Sequence, residues 1–173
     1  MASPLYVAQN GTYEKFLEVY DPEANDATEM LCAGLINRDP EAREKISNGM
    51  LDRGADATVV DYGQNTLTLL LSHDDLGDGD PALVQRLVEA GADVNFRESH
   101  GDTPIKLAVK IGTESDDQRR PIYEALFGKD VDLDEPSNVR NPKNKIGEWL
   151  RMCVNHQPEG LKVLDEFLTA RGF

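Results

Sequence analysis

Few side chains in this sequence could make or break bonds, and their spacing limits what they can do. The three histidines, His73, His100 and His156, lie far apart, each in or beside a stretch that reads as loop. A nucleophile needs a base within hydrogen-bond reach. The conceivable thiols, Cys32 and Cys153, fall instead in the apolar stretches Met30-Leu31-Cys32-Ala33 and Trp149-Leu150-Arg151-Met152-Cys153-Val154. Those settings make both cysteines buried small hydrophobes, and they share no metal or redox spacing. Asp74, Asp78 and Asp80 alternate with glycines as calcium ligands do, but the bidentate glutamate needed at the twelfth position, counted from Asp74, is Gln85. A solvated acidic loop is the better reading. No glycine-rich loop cradles phosphate, so the chain is expected to be no enzyme, with no catalytic residue, no metal site and no cofactor.

What remains is the capacity to bind, and charge restricts the partner. With 18 basic against 32 acidic side chains, the formal net charge is −14. Such a surface repels nucleic-acid phosphates and anionic lipid, and it draws basic partners. Met1 to Tyr6 lack a basic start followed by an apolar run, and no stretch approaches the roughly 18 apolar residues that span a membrane. A reducing, cytoplasmic setting and a protein partner with a basic surface follow as expectations.

The elements that must present that surface are written as a repeat. Gly54-Ala55-Asp56-Ala57, Gly91-Ala92-Asp93-Val94 and Gly128-Lys129-Asp130-Val131 place their glycines 37 residues apart both times. A period in this range signals stacked units that bury apolar faces only against their neighbours. Before the second copy, Pro81 to Ala90 carries the helical stripe Leu83, Val84, Leu87 and Val88 and stops at Gly91, which supplies the left-handed close. After it, Thr103 is placed to cap a helix that Pro104 begins, with Ile105, Ala108 and Val109 on one face.

Helix, helix, Gly-Ala-Asp turn and then Gly101-Asp102-Thr103-Pro104-Ile105-Lys106-Leu107-Ala108 resembles the ankyrin repeat, with its unit of about 33 residues and its Thr-Pro-Leu-His-x-Ala signature. An earlier unit matches if Asn65 stands for the capping threonine and Thr66 for the proline, leaving Leu67 and Leu70 in the core. The resemblance implies an all-α fold: an ankyrin-repeat solenoid of helix-turn-helix units joined by β-hairpin-like loops, in a single domain over 1–173. Residues 1–22 form an N-terminal cap, 23–59, 60–96 and 97–134 are repeats, and 135–173 are C-terminal cap helices. Two departures stand out. Extra residues enter between the paired helices at 73–80 and 112–120, which predicts two acidic loops side by side on one edge, and the signature histidine is replaced by Tyr6, Thr68 and Lys106.

In ankyrin proteins the hairpin tips and the first helices form a concave binding surface. Carried onto this sequence, those positions are Val60, Asp61, Tyr62 and Gln64 in one unit, with Ser72 and His73 beside them, and Arg97, Ser99, His100, Asp102 and Lys110 in the next. Tyr62 is the favoured anchor, because aromatic groups dominate interface energetics; Phe96 reads as packed under its own hairpin. The expected function is a non-enzymatic protein-protein interaction module, monomeric when free. A short, acidic, stand-alone chain further resembles bacterial ankyrin proteins that act as immunity proteins, inhibiting a toxin or effector enzyme. The alternative is a structural adaptor or regulatory subunit of a cellular enzyme.

Overall fold

The computed structural model describes all of residues 1–173. Its helices are α1 (Pro4–Asn10), α2 (Tyr13–Val19), α3 (Ala27–Leu35), α4 (Pro40–Asp52), α5 (Thr66–Leu71), α6 (Asp80–Glu89), α7 (Pro104–Lys110), α8 (Arg120–Gly128), α9 (Ile146–His156) and α10 (Lys162–Ala170). A short 3-10 turn, Asp116–Arg119, leads into α8, and the only strands are β1 (Val60–Asp61) and β2 (Gln64–Asn65). The chain is all-α apart from that hairpin. No helix is long and apolar enough to cross a membrane.

Local chemistry starts these helices. Pro4, Pro40, Pro81, Pro104 and Pro121 each occupy the first turn of a helix, where a missing N–H leaves no bond unmade. Ser3, Thr12, Asp26 and Asp39 cap α1 to α4 with side-chain oxygens. Asn65 caps α5 as its sequence position foretold, and Thr68 answers by accepting the Asn65 N–H at 2.9 Å, completing a reciprocal box. Thr103 differs from expectation. Its backbone stands at the start of α7, yet its buried Oγ1 has no hydrogen-bond partner.

The helices arrange themselves in two rows. α1, α3, α5 and α7 pack one on the next, and α2, α4, α6, α8 and α10 form a second row behind them. α9 pairs with α10 and reaches the first row through Trp149, whose ring lies 5.0 Å from the Lys106 Nζ. One continuous apolar core runs between the rows from Val7 to Leu168. Leu67, Leu70, Leu83, Val84, Leu87, Ile105 and Ala108 are buried in it as the stripes predict, whereas Val109 and Trp149 are half-buried. Cys32 is buried, but Cys153 is only half-buried, on the flank of α9.

The loops that follow the second helices correct the repeat register. In the first two, the left-handed residues are Gly54 (φ 85°) and Gly91 (φ 101°), a conformation that L side chains resist. In the third it is Asp130 (φ 56°), while Gly128 is still helical. Hydrogen bonds agree: the amides of Ala55, Ala92 and Val131 bond the carbonyls of Met50, Leu87 and Leu126, and Asp56, Asp93 and Asp132 each accept the amide two residues on. The true third copy is therefore Asp130-Val131-Asp132-Leu133, two residues beyond the phrase that the sequence offers. Gly128-Lys129-Asp130-Val131 matches by letters only.

The two inserted loops do lie together. Leu76 N bonds Gly112 O at 2.9 Å and Gly112 N bonds Asp74 O at 2.7 Å, so the edges pair as a short bridge. Their acidity is partly internal. Asp80 is buried and takes both the Nε and Nη2 of the equally buried Arg43, at 2.9 and 2.7 Å. Asp116, also buried, accepts the Tyr123 hydroxyl at 2.7 Å and the amides of Val163 and Leu164 at 2.8 and 2.9 Å, capping the start of α10 from a distance.

Candidate functional site

The front row and the loops ahead of it enclose two adjoining clefts. The first, of about 580 Å³, lies between α1, α3, α5 and the β1–β2 hairpin, and Asp61, Tyr62 and Gln64 line it. The second lies between α5, α7 and the turn at residues 98–102, with Gln64, His100, Asp102 and Lys110 in its walls. Gln64 belongs to both. Val60, Arg97 and Ser99 line neither cleft.

Tyr62 is the outlier among these residues. β1 and β2 pair antiparallel with Val60 opposite Asn65 and Asp61 opposite Gln64, leaving Tyr62 and Gly63 as a two-residue turn. A tight right-twisted hairpin of this length favours positive φ at both central residues, and hence Asn-Gly or Gly-Gly. Here Gly63 has φ 75° and Tyr62 has φ 48°. Gly63 is also fixed by contact, since a Cβ there would come 3.1 Å from the Ser99 Cβ, and its carbonyl accepts the Ser99 amide. Tyr62 has neither justification. Its side chain is 97% exposed, so nothing in the fold compensates for an aromatic residue in this backbone conformation.

The other turn is held by a residue the sequence reading passed over. Glu98 is buried, and its carboxylate accepts the Asp102 amide at 2.8 Å, the His100 Nδ1 at 2.9 Å and the Gln64 amide nitrogen at 3.1 Å. Burial pushes its pKa up, but these donors outweigh burial and hold the carboxyl below the usual glutamate range. Arg97 is engaged in structure as well, donating to the carbonyls of Gly101 and Pro136 and so tying this turn to the next. Asp102 receives Lys106 at 3.2 Å and Lys110 at 2.8 Å; burial opposes its ionisation, yet the two lysines keep its pKa depressed. His100 keeps one ring edge on Glu98 while its side chain stays 85% exposed. In the second cleft Glu98 and Asp102 are thus matched within the fold, which leaves Asp74 as its one unpaired carboxylate.

The first cleft is different. Beside Asp61 its rim holds Asp26 and Glu29, none of the three in an ion pair, and its lining contains no lysine, arginine or histidine. Leu5 and Gln9 face it from α1, and Glu29, Cys32, Ala33 and Ile36 from α3. These positions were legible, being i, i+4 on one helix and i, i+3, i+4, i+7 on the other, but a stripe at that spacing reads by default as core. Cys32 sits at the floor. Burial, with Asp61 and Asp26 nearby, pushes its thiol up to about 11, so it stays protonated and unreactive at neutral pH. Ser72 is exposed, while half-buried His73 bonds the Leu35 carbonyl through Nε2 at 2.8 Å. Phe96 is half-buried.

No group of three or more histidine, cysteine, aspartate or glutamate side chains is arranged to hold a metal ion. A solved structure of a functionally unknown protein from Leptotrichia buccalis C-1013-b is similar to this chain with a TM-score of 0.75 at 21% sequence identity, covering 99% of this chain and 95% of that one. That likeness shows the fold over its whole length. No protein-family model matches the chain, and no curated protein matches it.

Proposed function

We propose that this chain is an ankyrin-type solenoid that works as a non-enzymatic protein-protein interaction module, holding a partner against its hairpin tip and concave front row. Supporting the family reading are the two rows of stacked helix pairs and the recurring Gly-Ala-Asp turn. Lys106 takes the part of the missing histidine: from its buried position it donates to the Ser137 carbonyl in the following loop.

The observation that carries the functional reading is Tyr62. A fully exposed aromatic ring held on a left-handed backbone at the mouth of a cleft destabilises the free fold, and strain of this kind marks sites kept for another purpose. Aromatic anchors of this sort dominate interface energetics. The net charge of −14 favours a partner with a basic surface and speeds their encounter. An acidic inhibitor, an immunity protein that occupies a basic toxin or effector enzyme, is the sharper form of the proposal.

The test uses the purified chain as bait in its native cell extract beside Tyr62→Ala. A protein retained by the first and lost by the second, forming a 1:1 complex whose association rate falls with added salt, is the expected result. Equal retention by both baits would refute the role of the tip, and a salt-indifferent rate would refute the electrostatic part.

A further inference from the structure

We infer that the cleft between α1, α3, α5 and the hairpin receives a large apolar side chain of the partner flanked by lysine or arginine, so that recognition is concentrated in the N-terminal half of the front face. This rests on the protein-binding reading above. The two clefts are neighbours of similar build, yet they differ in one decisive respect. In the second, Asp102 and Glu98 are matched by Lys106, Lys110 and His100, leaving only Asp74 unpaired, whereas around the first Asp26, Glu29 and Asp61 all lack an ion pair and the lining holds no cation. Their field is felt inside the cleft, since Asp61 and Asp26 both add to the upward displacement of the Cys32 thiol that burial begins.

The floor between those carboxylates is apolar. Leu5, Ile36 and Tyr62 line the cleft at 36%, 40% and 97% exposure, and Val60 at 54% stands on the adjoining strand. Exposed apolar side chains gathered in one place, rimmed by polar groups, mark an interaction surface. A rim of uncompensated negative charge selects cationic flanks and rejects acidic ones, because like charges brought together there have no counterion within the fold. The occupant is therefore a basic segment with an apolar centre. A purely basic segment leaves the floor wet, and a purely apolar one leaves three carboxylates partly desolvated without a partner.

Three labelled nonapeptides test this by fluorescence anisotropy: one with a central phenylalanine between lysines, one with alanine replacing the phenylalanine, and one with glutamates replacing the lysines. The first should saturate and bind at least tenfold tighter than either other. The side chains of Glu29 and Asp61 make no hydrogen bond or ion pair within the chain, so Glu29→Gln with Asp61→Asn keeps the fold, checked by thermal melting, and should erase most of the preference for lysine over glutamate. His100→Ala should leave it unchanged. No saturable binding of the first peptide, or a preference that survives the double substitution, would overturn the inference. A native protein partner that binds the double variant normally but is lost on His100→Ala would overturn it too while leaving the interaction module intact. A partner indifferent to both variants and to Tyr62→Ala would remove the hairpin tip and the front row from recognition altogether, and no retained partner at all would remove the module reading.

Discussion

Replacing Tyr62 by asparagine should make the free protein more stable while removing its capacity to bind. The stability half follows from two measurements. With the side chain 97% exposed, removal of the ring loses essentially no burial. The backbone at φ 48° costs an ordinary L residue about 1–2 kcal/mol, and asparagine relieves much of this because its short amide tolerates the left-handed region. A net gain of about 1 kcal/mol is expected, or a rise in Tm of about 2–4 °C for a chain of this size. Tyr62→Ala separates the two contributions. It keeps a Cβ and so keeps the strain, giving little change in Tm, but it loses the ring and with it the binding. Urea unfolding followed by circular dichroism reads the first quantity, and titration against the captured partner reads the second. If asparagine destabilises the protein by 1 kcal/mol or more, the tip is making contacts that the structure does not contain, and the argument from strain is wrong. If both variants bind normally, the ring has no part in recognition.

Other substitutions test the frame that holds the site. Gly128→Ala should stabilise by up to about 1 kcal/mol, since the position is helical and a Cβ there meets nothing within 4 Å, and Asp130→Gly should also stabilise; a marked loss from Gly128→Ala would restore the register that the sequence suggested. Arg43→Met should cost about 3–5 kcal/mol by leaving Asp80 charged and buried, while Arg43→Met with Asp80→Leu should recover most of it in a urea-unfolding cycle. Acid should weaken the turn at 98–102. Because folding depresses the Glu98 and Asp102 pKa values below their ordinary 4.5 and 3.8, the stability they contribute is complete above those values and is lost as pH falls through the lower folded ones. Stability measured from pH 6 to 3 should therefore fall less steeply in Glu98→Gln than in the parent.

Much of the architecture was legible because its signals are local. Proline in the first turns of five helices, Asn65 at a cap, and the stripe from Leu83 to Val88 act within a few residues, and each appears where its neighbours demand. The third turn misled because a glycine placed 37 residues on need not be the residue that turns left-handed; hydrogen bonding to Leu126, not letter matching, sets the register. Thr103 misled for a similar reason, since a capping residue type does not ensure that its hydroxyl finds the amide. Glu98 and the buried Asp80 and Asp116 were hidden because each serves groups brought together only by folding. The acid-rimmed cleft shared that difficulty. Asp26, Glu29 and Asp61 lie on two different elements, and nothing along the chain says that they face one space.

The keyed joints between helix pairs also bear on how this chain could change over time. An array of interchangeable units gains or loses one by duplication or deletion, because every joint accepts every unit. Here the joint between α4 and α6 depends on Arg43 reaching Asp80, whereas the residues at the same distance from Pro81 and Pro121 are Val84 and Glu124. The joint ahead of α10 depends on Asp116 gripping Val163 and Leu164, a contact made nowhere else. Excising a middle unit would leave one buried charge facing apolar groups, and inserting a copy would separate a donor from its acceptor. Lengthening or shortening the stack by one helix pair therefore carries a cost that a uniform array would not bear.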